Sequence, residues 1–62
     1  MRILVNGTPR EVSDGCSVAT LVPPRPGIAI AVNGEVVRRA AWDVTRLDDG
    51  DAVEVLTAHQ GG

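Results

Sequence analysis

Ile28-Ala29-Ile30-Ala31-Val32-Asn33-Gly34-Glu35-Val36-Val37 is the stretch whose reading settles the architecture. Its first five residues are the most continuously apolar run of the chain, with large side chains at 28, 30 and 32 and alanines between them. A strand with that alternation has one bulky face and one flat face. It suits the centre of a sheet, where the bulky face meets a covering layer and the flat face of Ala29 and Ala31 allows close approach. Asn33-Gly34 then reads as a two-residue hairpin turn, because both positions tolerate positive φ, and Glu35-Val36-Val37 is the short returning strand.

Working outward, Arg2-Ile3-Leu4-Val5 reads as a strand with Ile3 and Val5 on the buried face. Asn6-Gly7 repeats the hairpin signal, and Arg10-Glu11-Val12 returns, with Pro9 placing its missing N–H at an edge or beside the turn. After Asp14-Gly15, Cys16 or Ser17 stands where a helix cap belongs, and Val18, Leu21 and Val22 fall on one helical stripe. Pro23-Pro24 limits that helix to one or two turns, so it owes its existence to packing on the sheet. Arg38 to Thr45 is irregular and holds the single aromatic residue, Trp42, read as a core or edge-covering anchor. Leu47-Asp48-Asp49-Gly50-Asp51 turns into a last strand, Ala52 to Thr57, with Val53 and Val55 inward. The expectation is an α+β fold: a mixed four- to five-stranded sheet packed on one short helix. Residues 1–57 form the domain and residues 58–62 a flexible tail ending in Gly61-Gly62.

At 62 residues and 44% apolar content, one small core leaves little room for a deep cleft. Cys16 excludes an internal disulfide, and one Cys with one His cannot complete a structural zinc site. No segment approaches the apolar length of a membrane span, and Met1-Arg2 leads into a strand rather than a signal peptide, which points to a cytoplasmic protein. The formal charge of −2, the absence of lysine and the lack of a basic stripe argue against nucleic acid as a partner.

Few residues offer conventional catalysis. Cys16 is either a thiol activated by a helix N-terminus or a small, half-buried apolar residue. His59 would need an orienting partner to act as a base; otherwise it is solvated or faces a partner. Asp48, Asp49 and Asp51 lack the ligand spread of a calcium loop and read as a solvated turn. With Ile3, Ile28, Ile30, Val32, Val53 and Val55 turned inward, Leu4, Ala29, Ala31 and Leu56 are left on the outer sheet face. Beside a projecting tail, they read either as a docking patch or as scattered surface apolarity. The acidic residues Asp48, Asp49, Asp51 and Glu54 offer steering for a basic partner, or simply a solvated rim.

The diglycine end offers a different chemistry. Two residues without Cβ let the final peptide units lie in a channel too narrow for side chains, delivering the Gly62 carboxylate to a distant active site. A carboxylate becomes an acyl donor once its oxygen attacks the α-phosphate of ATP, giving an acyl-adenylate and pyrophosphate. A sulfur or nitrogen nucleophile then takes the acyl group.

Over essentially its whole length the chain resembles the sulfur carrier family of thiamine biosynthesis, of the ubiquitin-like β-grasp class. The resemblance is carried by Ile3-Leu4-Val5-Asn6-Gly7, Ala31 to Val37, Trp42 with Thr45-Arg46-Leu47, Asp49-Gly50-Asp51, Val53 to Thr57, and Gly61-Gly62. It implies a carrier rather than an enzyme. Gly62 would be the reacting residue, passing through a glycyl adenylate to a thiocarboxylate (1-thioglycine), with Gly61 as its slender neighbour. The implied partners are an adenylating activating enzyme, thiazole synthase, and a sulfur donor such as a cysteine desulfurase or persulfide carrier. ATP would be used by the activating partner, with no cofactor bound to the carrier. Relatives usually carry a longer helix than Ser17 to Val22, and a small hydroxyl residue more often occupies the place of Cys16. The alternatives are a carrier for another pathway, such as molybdopterin synthesis, and a β-grasp binding module without tail chemistry.

Overall fold

The computed structural model describes residues 1–23 and 25–57. The described residues form five strands: β1 (Arg2–Val5), β2 (Thr8–Glu11), β3 (Ile28–Val32), β4 (Glu35–Val37) and β5 (Ala52–Thr57). They form one mixed sheet in the order β2-β1-β5-β3-β4. β1 runs parallel to β5, with Leu4 beside Ala52 and Val5 beside Val53, and the other neighbours are antiparallel. The sheet is therefore two hairpins joined through the last strand, which inserts between β1 and β3.

Both hairpin turns take the expected form. Asn6 and Gly7 have φ of 51° and 82°, and Asn33 and Gly34 have φ of 50° and 85°. Two successive positive φ values match the right-handed twist of the flanking strands, and glycine adopts the second without a Cβ penalty. The second strand is shifted from the expected Arg10 to Val12 to Thr8–Glu11, and as an edge strand it accommodates Pro9.

The expected helix over Ser17 to Val22 is one turn of 3₁₀ helix, Val18–Thr20, and a second such turn spans Arg39–Ala41. Neither Cys16 nor Ser17 caps it through its side chain. Ser17 is extended (φ −89°, ψ 161°), and its carbonyl accepts both the Thr20 N–H and the Thr20 hydroxyl. The N–H groups an α-helix would leave unpaired are committed elsewhere, Val18 N to Thr45 O (2.9 Å) and Ala19 N to Trp42 O (3.2 Å). The layer over the sheet is thus two short turns stitched to each other, and Pro23-Pro24 blocks extension of the first.

Ile3, Val18, Leu21, Ile30, Trp42, Leu47 and Val53 form the buried core, with Val5, Ile28, Val32 and Val55 packed against it. The inward set expected from strand alternation is recovered. Leu47, read as part of a turn, is instead a core residue at 1% exposure. Trp42 is buried, and its Nε1–H donates to Val37 O at 2.9 Å, tying the second 3₁₀ turn to the end of β4. Among the described residues, no helix is long and apolar enough to cross a membrane.

Candidate functional site

β5 leads to residue 58, so whatever holds β5 sets where the following residues begin. Its central neighbours are β1 and β3, and two turn asparagines add to that hold. Asn6 accepts the Val55 N–H on Oδ1 (2.8 Å) and donates from Nδ2 to Val55 O (3.3 Å), mimicking a peptide group beyond the last β1–β5 pair. Asn33 accepts the Ala52 N–H on Oδ1 (3.0 Å) and donates from Nδ2 to Asp51 Oδ1 (3.0 Å). The strand is clamped at its start and at Val55. The hairpin signals were legible in the sequence; the choice of Asn over other turn residues follows from these side-chain bonds, which only long-range structure reveals.

The acidic turn is part of the same frame. Asp51 Oδ2 accepts the Asp48 N–H (2.8 Å), and Asp49 Oδ1 accepts the Arg2 N–H (2.9 Å). Two of the three carboxylates thereby hold the turn before β5. Among the described residues, no group of three or more His, Cys, Asp or Glu side chains is placed to hold a metal ion.

The outer sheet face divides the expected patch. Ala29 lies in register with Leu56, and Ala31 lies between Glu54 on β5 and Val36 on β4. Leu56 is 57% exposed, and Ala29 and Glu54 are exposed as well. Ala31 is not part of the exposed surface: it is 7% exposed, because a single methyl on a central strand is shielded by the larger side chains beside it. Leu4 is exposed but stands beside Ala52. That is four residues along β5 from Leu56, or about 13 Å at the usual rise per residue. Val36, at 76% exposure, is a further apolar residue on this face. Its position follows from the Asn33-Gly34 turn, which pairs residue 36 with residue 31. The tail-proximal surface is thus Ala29, Leu56, Glu54 and Val36, with Leu4 set apart at the other end.

On the opposite side of the sheet, Ala19, Val22, Arg39, Trp42 and Asp43 line an open groove of about 340 Å³. Cys16 is a half-buried residue against the core, two positions before the 3₁₀ turn. The Met1 ammonium donates to Val12 O (2.8 Å) and Asp14 Oδ1 (3.1 Å), and the Asp14 hydrogen bond raises its pKa above the ordinary value. Arg2 bonds Glu11 at 2.8 Å on the outer face, which holds the guanidinium charged. His59, Gly61 and Gly62 lie outside the described residues.

A family model described as the ThiS family matches residues 3–62. A crystal structure of the thiamine biosynthesis protein (ThiS) from Geobacter metallireducens is 38% identical with a TM-score of 0.84, and the match covers 100% of both chains. An NMR solution structure of a thiamine biosynthesis protein from the same organism is 38% identical with a TM-score of 0.77, over 100% of this chain and 88% of the other. No match was found among curated proteins. A family match that runs from β1 through the diglycine, on a five-stranded ubiquitin-like β-grasp sheet shared with those structures, establishes that the chain belongs to the ThiS family, whose members are small carrier proteins and not enzymes.

Proposed function

We propose that the chain is a sulfur carrier for thiazole formation in which Gly62 is the single reacting residue. The observation that carries this reading is the extent of the family match, which includes Gly61 and Gly62 and not the folded domain alone. The Gly62 carboxylate attacks the α-phosphate of ATP within an activating enzyme, forming a glycyl adenylate and releasing pyrophosphate. The terminal sulfur of a persulfide, held on a cysteine desulfurase or persulfide carrier, attacks the adenylate and displaces AMP to give an acyl disulfide. A second thiol of the donor system then cleaves the S–S bond, releasing the C-terminal thiocarboxylate and forming a disulfide on the donor. Thiazole synthase then takes the sulfur. Residues 1–57 act as the handle and residues 58–62 as the arm, with Gly61 keeping the arm narrow.

The tail-proximal outer face, with Leu56, Ala29, Val36 and Glu54, is the proposed contact for the activating enzyme, and Leu4 contributes at its far edge. Exposed apolar side chains on the strand that leads toward residue 58 support a contact on the same path as the proposed chemistry. Reconstitution with the activating enzyme, ATP and labelled pyrophosphate tests the reading. Deleting Gly61-Gly62 is expected to abolish pyrophosphate exchange while leaving the denaturation curve unchanged. Exchange by the truncated chain would refute Gly62 as the reacting residue.

A further inference from the structure

The six arginines are unevenly placed. Arg2 is paired with Glu11, Arg46 donates to Gly15 O, and Arg10 lies on edge strand β2. The remaining three, Arg25, Arg38 and Arg39, gather at one end of the sheet. β3 begins at Ile28 directly opposite Thr57, the last residue of β5. Arg25 lies three residues before Ile28, and Arg38 and Arg39 follow Val37, which is paired with Ile30. All three side chains are exposed. None forms an ion pair among the described residues, where the two ion pairs are Arg2–Glu11 and Met1–Asp14.

The cluster is also braced. Arg39 donates from Nη2 to Arg25 O, and its guanidinium lies 4.8 Å from the centroid of the Trp42 ring. Trp42 is in turn anchored to Val37 O. These contacts tie Arg25 to the second 3₁₀ turn and hold the Arg39 charge in place. Asp43 lines the groove beside Arg39, and Glu54 lies on β5 at the level of Ala31, so three positive charges face two negative ones at this end. At the other end, Asp48, Asp49, Asp51 and Glu35 cluster around the start of β5 and the Asn33-Gly34 turn. A net acidic chain therefore carries three of its arginines, none of them ion-paired among the described residues, at the end of the sheet where β5 finishes.

We propose that Arg25, Arg38 and Arg39 form a basic collar that docks on an acidic rim surrounding the channel that receives the tail. This rests on the tail-delivery reading above. If residues 58–62 are extended in the receiving channel, up to about 17 Å separates the level of Thr57 from the Gly62 carboxylate, and a channel of that depth has the collar at its mouth. The surface that meets the collar is the outside of the receiving protein, and like any rim charge its contribution is to encounter rate and orientation.

The test compares Arg38→Glu with Arg10→Glu in the full chain, since both change the net charge equally and neither residue braces the fold. Association with the ATP-dependent activating enzyme from the same genome is followed by stopped flow at low and high sodium chloride, alongside adenylation of each chain. The collar predicts that Arg38→Glu slows association at least about fivefold at low salt, that the deficit shrinks at high salt, and that Arg10→Glu stays within about twofold of the parent. Equal effects of the two substitutions would overturn the collar while normal adenylation of the parent left the carrier reading intact. A parent chain that is never adenylated yet forms a salt-sensitive complex weakened by Arg38→Glu would overturn the carrier reading and keep the collar. Salt-sensitive self-association of the chain alone, lost in Arg38→Glu, would assign the collar to the acidic end of a second copy and overturn the proposal.

Discussion

Asn6 and Asn33 look equivalent as turn residues, yet their side-chain partners differ in charge. Replacing either by Asp keeps the oxygen that accepts a β5 N–H and removes the amide donor. At position 33 the new carboxylate would face the Asp51 carboxylate, whereas at position 6 it would face the neutral Val55 carbonyl. Asn33→Asp is expected to destabilise by about 2 kcal/mol in urea unfolding at pH 7, and Asn6→Asp by about 1 kcal/mol. Leu47 makes a simpler case: with its side chain buried in the core, Leu47→Ala is expected to cost about 3 kcal/mol in the same assay.

The Met1 ammonium supplies a residue-level pH dependence. Its folded pKa is raised above 8.0 by the Asp14 hydrogen bond, so the folded state binds this proton more tightly than the unfolded chain. The resulting stabilisation is full below about pH 8 and is lost as pH rises through the folded value. The chain has no lysine or tyrosine, so in a Cys16→Ala background this is the group that titrates there. The urea midpoint should fall between pH 7 and pH 10, and N-terminal acetylation should remove that fall.

Among the elements, those with strong local signals were legible in the sequence and those defined by distant partners were not. The alternation in Ile28 to Val32 and the two Asn-Gly turns located four of the strands and their faces, because strand period and positive-φ turns are short-range properties. The short helix expected over Ser17 to Val22 is a single 3₁₀ turn, Val18–Thr20, since its N–H groups bond to residues 42 and 45, which local periodicity cannot encode. Ala31 lies on the expected outer face, but its burial depends on Glu54 and Val36 across two strand pairings. The same pairings predict the effect of Leu56→Glu. The side chain is 57% exposed on the outer face, so stability should change by less than about 0.5 kcal/mol. Capture by the activating enzyme, read as KM for the carrier, should weaken by about tenfold, and an unchanged KM would remove Leu56 from the contact.

At the scale of the whole molecule, the described fold concentrates its ordered features around one strand. β5 is central in the sheet, parallel to β1, antiparallel to β3, clamped by Asn6 and Asn33, and flanked at its end by an apolar face and a basic collar. The diglycine was legible in the sequence as a chemical motif, and family membership follows from the match through residue 62. The most direct test of Gly62 as the sulfur-bearing residue is intact-mass and C-terminal fragment analysis of the protein isolated from its native cells. The account predicts a population in which one oxygen is replaced by sulfur, with the change confined to the fragment containing Gly62. Sulfur carried elsewhere, as on Cys16, with Gly62 unmodified in cells actively making thiazole, would contradict it.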